Sequence, residues 1–278
     1  MKFNSREEII QLTPQNPFDR LEDGRPKVPD ELLERMKSVT LEEAWAVLDK
    51  KYSYKNQIEG NWLALKPNEV MVGRALTMTM VPFRPDLNAV VESQGKSDGF
   101  TVGENYAHNR WGFNCAGNKD VIVADTYGKI VYGTFIGDNL AAFLVAKGVS
   151  GMVVNGSIRD PSGCAKFSNF NIFCKGVHPS AIRDMIAISL NGVTRISDMC
   201  TVLPGDVVLA TSCGVAFIPP HFVKEVIETS ETIRNQDDFR QERILQKKYT
   251  ADEVYNSYVW PEEIQKDFDQ WMITREHN

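Results

Sequence analysis

The 278-residue chain has no CxxC pair among its five cysteines, at positions 115, 164, 174, 200 and 213. An odd and unpaired set argues against a disulfide framework or a thiolate zinc site, and for reduced thiols. The sequence holds no run of about 18 apolar residues, so no membrane-spanning helix is expected. Basic excess is missing too: the net charge is −6. Phosphate neutralisation needs a basic face, so nucleic acid is not an expected partner. The stretch MKFNSREEII lacks the apolar core of a secretory signal, and a cytoplasmic protein is expected. There is neither an internal repeat nor a low-complexity block. What is present is an ordinary globular composition, 42% hydrophobic, sufficient for a sizeable core.

Residues 1–29 carry Pro14, Pro17, Pro26 and Pro29 among charges, which predicts either an extended arm lying on the body or on a neighbouring subunit, or a free tail. Asp30 can cap a helix through Lys37. Thr40-Leu41-Glu42-Glu43 is a capping box, followed by an apolar face at Leu41, Ala44, Trp45 and Leu48, so a helix over 40–51 is predicted. Strands follow at Glu69–Val81, with Gly73 permitting close backbone approach, and at Asp120–Ala124. Between them, FRPDLNAVVESQGKSDGF reads as a loop with a short helix, and ENYAHNRWGFNCAGN is too rich in polar and aromatic groups for a mere connector. Ile130–Phe135 reads as a strand or an approach to the next helix. Phe170–Cys174 is a strand. Val207–Ala210 and Val215–Pro219 form a hairpin, and from Pro220 onward the pattern is helical. The predicted organisation is an N-terminal arm (1–29), one α/β body (30–228) and a helical C-terminal extension (229–278).

The stretch GDNLAAFLVAKGVSGMVVNGSIRD, Gly137–Asp160, holds the chemistry. It reads as helix start, helix, turn at Gly148, strand, and a charged pair at the strand's end. Asp138 and Arg159 are separated by twenty residues, from Asn139 to Ile158. Gly137-Asp138-Asn139-Leu140 opens the helix, where backbone N–H groups and the helix dipole favour a carboxylate or phosphate. Asp138 suits a water, a water on a metal, or a plain helix cap. Arg159 holds an oxyanion in a planar fork. Asp160 is a hard oxygen ligand suited to Mg²⁺, which needs only one or two carboxylates. Each cluster alone also fits capping or a surface ion pair. Together they describe a site for a 2-oxo acid whose pyruvate-like half leaves as an enolate.

With these residues, the chain resembles the RraA-like family, which includes class II 4-hydroxy-4-methyl-2-oxoglutarate aldolases. Asp138 and Arg159-Asp160 match its Asp, twenty residues, Arg-Asp motif. Gly73, Ala75 and Thr77 match its Gly-x-Ala-x-Thr strand. Phe173–Gly176, Pro204-Gly205-Asp206 and Gly214–Pro219 match later stations. The resemblance implies a β/β/α swivelling-domain fold, a homotrimer or hexamer with active sites at subunit interfaces, and a divalent-metal-dependent lyase on a 2-oxo acid. It implies Mg²⁺ or Mn²⁺ on Asp160, Arg159 on the pyruvyl oxygen, the backbone of residues 137–140 on the pyruvate carboxylate, and Asp138 on a water of the metal. The chain departs from the aldolase pattern at Gly163, where an acidic residue is usual, and at Thr211-Ser212-Cys213. The family also contains regulators that act by binding a ribonuclease, so a non-catalytic interaction protein is the alternative. His108, Asn109, Arg110 and Trp111 either line a substrate pocket or pack at a contact. His178 lies in a turn, Cys164 reads as structural, and Glu225–Glu242 as a solvated helix face.

Overall fold

The computed structural model describes residues 3, 5–103, 107–255 and 260–276. Part of the polar segment discussed above, residues 104–106, lies outside these, as do residues 256–259 in the extension. The strands are β1 (Ile58–Glu59), β2 (Leu63–Ala64), β3 (Met71–Pro82), β4 (Asp120–Asp125), β5 (Gly151–Ile158), β6 (Asn171–Val177), β7 (Met185–Leu190), β8 (Thr194–Ile196), β9 (Cys200–Val202), β10 (Val207–Thr211) and β11 (Gly214–Ile218). The helices are α1 (Arg6–Leu12), α2 (Asp30–Met36), α3 (Leu41–Trp45), α4 (Pro85–Ser97), α5 (Asn109–Cys115), α6 (Asp138–Ala146), α7 (Pro161–Ala165), α8 (Val223–Leu245), α9 (Ala251–Tyr255) and α10 (Glu262–Glu276). The main sheet runs in the order β1-β11-β10-β3-β4-β5-β6-β2. Its centre, β3 to β6, is parallel. The β10–β11 hairpin joins β3 antiparallel over Met71–Arg74, and β7 takes the same edge further along, over Met78–Pro82.

Strand alternation sorts the core into layers. Leu76, Met78, Ile122, Ala124, Met152 and Val154 pack under Trp111, Ala141 and Leu144 of the helical layer. Their neighbours Ala75, Val121, Val123 and Val153 face the opposite way, against Val208, Ala210, Val215 and Phe217 of the hairpin. The hairpin's outer residues, Val207, Leu209, Ala216 and Ile218, are covered by α2, α3 and the start of α8. Two β layers with helices outside are the β/β/α arrangement expected. Helix α8 continues without a break past residue 228, and its Phe239 joins a separate cluster with Val254, Trp260 and Ile264.

Most predicted elements are present, but α4 is a 13-residue helix where a loop with a short helix was expected, and some others differ in part. The capping box forms as expected: Glu43 N–H donates to Thr40 Oγ1 at 3.2 Å and Thr40 N–H to Glu43 Oε2 at 2.8 Å. The helix it starts, however, widens into a π-turn over Ala46–Lys51. The arm is not wholly extended, since it contains α1, and it lies on the body. Of the two readings of Ile130–Phe135, the approach to α6 holds and the strand does not; Thr134 makes a single parallel bridge to Ser157.

The turn before β10 carries a buried acid. Gly205, at φ +89, places Asp206 so that its side chain accepts Leu203 N–H at 2.9 Å and its carbonyl accepts Ala75 N–H at 2.8 Å. Burial pushes the Asp206 carboxyl up to about 7, against the opposing Leu203 N–H. The folded pKa lies above the unfolded value of about 3.9, so the stabilisation is fully present below pH ~3.9 and lost as pH rises towards 7. Asp206→Asn keeps an acceptor for Leu203 and removes the titration. Urea unfolding at pH 5 and pH 8 is expected to show wild type losing on the order of a few kcal/mol more than the variant.

Candidate active site

A helix that connects two parallel strands starts at the carboxyl edge of the first and returns the chain to the amino edge of the second, which then runs back to the carboxyl edge. The β4–α6–β5 unit therefore brings the start of α6 and the end of β5 together. The loop before α6 fixes the register. Phe135 N–H donates to Ser157 O at 2.8 Å, and Arg159 N–H donates to Ile136 O at 3.0 Å. Asn109 of α5 holds the same loop, its Nδ2 donating to Phe135 O at 2.7 Å. Gly137 then has to emerge beside Arg159.

The fit at that point is tight. A Cβ on Gly137 would lie 2.9 Å from Arg159 Nε, 3.0 Å from Arg159 Cγ and 3.1 Å from Asp160 Oδ2. Only a residue without a side chain lets the helix start approach the Arg-Asp pair so closely. Asp160 itself sits in the left-handed region, at φ +50, and its Oδ2 is 3.5 Å from Arg159 Nε. Both side chains are about half exposed, 45% and 54%, so this ion pair adds little stability and leaves both groups open to a ligand. Asp138 accepts Asn139 N–H on Oδ1 at 2.8 Å. Its carboxylate thus answers one of the helix N–H groups that have no intrahelical acceptor.

On the far side of Asp138 stands Gly163 of α7. A Cβ there would meet Asp138 Cβ at 2.7 Å and Oδ2 at 3.0 Å. The Asp138 side chain therefore packs directly against the α7 backbone at Gly163, with no room for a side chain there unless Asp138 moves.

Four of the predicted residues, Gly137, Asp138, Arg159 and Asp160, thus meet at one edge. Asn139 is exposed next to them. Leu140 instead lines a cavity between α5 and α6. Cys164 is buried beneath the site: burial pushes its thiol up to about 11, and Asp138 and Asp160 add to the rise. Such a thiol is no nucleophile at neutral pH. His178 is closer than its turn position implied. Its N–H donates to Ile158 O at 2.9 Å, immediately before Arg159, and its Nδ1 is 2.9 Å from Ser180 Oγ. The quartet at 108–111 divides. His108 stacks on Trp111 at 4.3 Å, its Nδ1 accepts Ala187 N–H, and burial lowers its pKa. Arg110 and Trp111 line the cavity that holds Leu140.

Among the described residues no three His, Cys, Asp or Glu side chains are grouped as metal ligands. The donor set at the edge, an accessible Asp160 carboxylate with Asp138 nearby, suits a hard cation that keeps most of its waters, as Mg²⁺ or Mn²⁺ does. It does not suit a closed zinc cage.

Fold and residues together define an α/β protein with a β/β/α core that brings Gly137, Asp138, Arg159 and Asp160 to the carboxyl edge of its parallel strands. The chain belongs to the RraA-like family: the model described as Aldolase/RraA matches residues 40–217. Protein DlpA of Legionella pneumophila is 27% identical over 187 residues, which are 64% of this chain and 26% of that protein. A protein of Halalkalibacterium halodurans, provisionally named a 4-hydroxy-4-methyl-2-oxoglutarate aldolase, is 30% identical over 142 residues, 49% of this chain and 63% of that one. The chain thus spans less than two thirds of either relative. The fold is that of Streptomyces coelicolor RraAS2, described as an unusual member of the RNase ES inhibitor RraA protein family. There the TM-score is 0.64 at 22% identity, over 81% of this chain and 99% of that one.

Proposed function

We propose that the protein is a divalent-metal-dependent lyase that cleaves a 2-oxo acid, by retro-aldol cleavage or β-keto acid decarboxylation, through a pyruvate-type enolate. One observation carries this: at Gly137 the start of α6 comes so close to the Arg159 and Asp160 side chains that Arg159 Nε and Asp160 Oδ2 lie within 3.1 Å of where a Cβ would stand. The N–H groups of residues 137–140 would bind the substrate carboxylate. Asp160 would hold Mg²⁺ or Mn²⁺. When bound, the metal supplies Lewis-acid stabilisation of charge on the 2-oxo oxygen. Arg159 donates to that same oxygen and stabilises the enolate as the bond to the third carbon breaks. Asp138, beside the helix start, orients water for the proton steps. By the family resemblance, the assembly would be a homotrimer or hexamer with sites at subunit interfaces, which light scattering on the purified protein tests.

The function is tested by coupled detection of pyruvate from oxaloacetate and from 4-hydroxy-2-oxo acids, with Mg²⁺, with Mn²⁺ and with EDTA. Turnover with metal and none with EDTA is expected. A second function, protein binding without catalysis, is favoured by Gly163; it gains if no 2-oxo acid is turned over under any metal condition. The Gly163–Asp138 packing supplies a further expectation. Gly163→Ala forces Asp138 to shift by tenths of an ångström and lowers kcat/KM by about tenfold, given the sensitivity of catalysis to misplacement. Steady-state kinetics measures this, and unchanged kcat/KM would remove Asp138 from the machinery.

A further inference from the structure

We propose that the crevice continues into an apolar pocket that receives the leaving half of the 2-oxo acid, and that this half carries an aromatic ring. The inference rests on the lyase assignment above and extends it to substrate class. The pocket is a cavity of about 200 Å³ between α5 and α6. Its apolar walls are Trp111, Phe113, Leu140 and Phe143, and Arg110 and Asn114 are polar members of the lining. Leu140, the last residue of the proposed 137–140 cradle, lines the cavity with its side chain, about 4.5 Å along the helix from Gly137. Phe143 stands one turn further on the same face. It is 42% exposed, a large ring left open beside a cavity.

The walls are held rigidly. Trp111 Nε1 donates to Thr101 O at 2.9 Å, and its ring stacks on Phe100 at 5.1 Å and on His108 at 4.3 Å. Lys147, at the end of α6, ties the two helices together: its Nζ donates to Phe113 O at 3.0 Å and to Asn114 O at 2.7 Å. The spacing between α5 and α6 is therefore set before any ligand arrives. An apolar cavity of about 150 Å³ accommodates benzene, so this one has room for a ring with a small substituent. An aldehyde as small as acetaldehyde would leave most of it unfilled and its apolar walls without contacts.

For 4-hydroxy-2-oxo-4-phenylbutanoate the step balances without a further reactant. The C4 hydroxyl gives up its proton, C4=O forms as the C3–C4 bond breaks, and the electron pair passes to the 2-oxo oxygen as the pyruvate enolate. Return of a proton to C3 gives pyruvate, and benzaldehyde leaves.

The test compares kcat/KM for this compound, for 4-hydroxy-2-oxopentanoate and for oxaloacetate, using wild type, Phe143→Ala and the cavity-filling Asn114→Phe. Wild type is expected to prefer the phenyl compound over the methyl one by at least about tenfold, the discrimination that a hydrophobic pocket supplies. Phe143→Ala and Asn114→Phe are expected to abolish the preference and to leave oxaloacetate turnover unchanged. Equal wild-type rates on the phenyl and methyl compounds, or variants that lower all three substrates alike, would overturn the pocket while the lyase assignment stands on oxaloacetate. Absence of turnover on all three by wild type would instead overturn the lyase assignment, and the pocket's role with it.

Discussion

Asp160→Asn is expected to lower metal-dependent pyruvate formation by about 10²–10³-fold, the range seen when one charge-stabilising group is removed from an active site. The substitution is chosen for the backbone. Asp160 sits at φ +50, a conformation that Asn adopts readily and that is costly for most other residues, so the loss is not confounded by strain. The side chain is about half exposed, and its removal from the weak pair with Arg159 is expected to change stability by no more than ~0.5 kcal/mol. Arg159→Lys provides the companion result. It keeps the positive charge and loses the planar fork, and a fall in kcat of similar size with an unchanged metal requirement is expected. Parallel melting curves for both variants and wild type check that the fold is intact.

Arg25→Ala carries the largest expected effect on stability. Arg25 and Asp120 are almost fully buried, 3% and 2% exposed. The guanidinium meets the carboxylate with two bonds of 2.9 Å, while its Nε donates to Asp23 at 2.6 Å. Burial alone would lower the arginine's pKa; Asp120 and Asp23 outweigh it and raise the value, so the ion stays charged. Among the described residues, removal leaves the Asp120 carboxylate buried with Gly117 N–H, at 2.8 Å, as its hydrogen-bond donor and with Arg74 as a nearby charge that makes no hydrogen bond to it. An uncompensated buried charge costs about 3–5 kcal/mol, equivalent to a fall in Tm of about 10 °C for a chain of this size. Asp120 opens β4, so the same pair clips the N-terminal arm to the centre of the sheet. Differential scanning calorimetry is the check; a fall below about 2 °C would mean that the arm contributes little to the fold.

The βαβ unit was readable because each of its boundaries is a local signal. Gly137 and Asp138 open the helix, Gly148 closes it at φ +76, and a continuous apolar strand ends in Arg159-Asp160. The capping box at Thr40 is local in the same way. The missed features depend on residues far apart in the chain. Arg25 and Asp120 are 95 positions apart, and an isolated arginine in a proline-rich arm gives no sign of its partner. Helix α4 looks in sequence like a loop with a short helix because Val91 and Gly95 are its only buried residues. Gly95 looks like a helix breaker in sequence, yet a Cβ there would lie 2.5 Å from the Trp111 ring. Its smallness admits the tryptophan that walls the α5–α6 cavity. The loop at 134–136 pairs with β5 through only a few bonds, too few for a strand pattern to emerge. In the candidate site the residue types were legible and their mutual fit was not. That Gly163 abuts Asp138, and that Leu140 lines the α5–α6 cavity, follow from how α7 and α5 pack.

The central claim, that Asp160 holds a catalytic divalent ion beside Arg159, is tested most directly by pyruvate release from oxaloacetate as Mn²⁺ is titrated into EDTA-stripped protein, for wild type and Asp160→Asn in parallel. A saturable rise in rate for wild type is predicted, with a variant curve lying at least about a hundredfold lower. Identical curves for the two proteins, or a wild-type rate that does not respond to Mn²⁺, would contradict it.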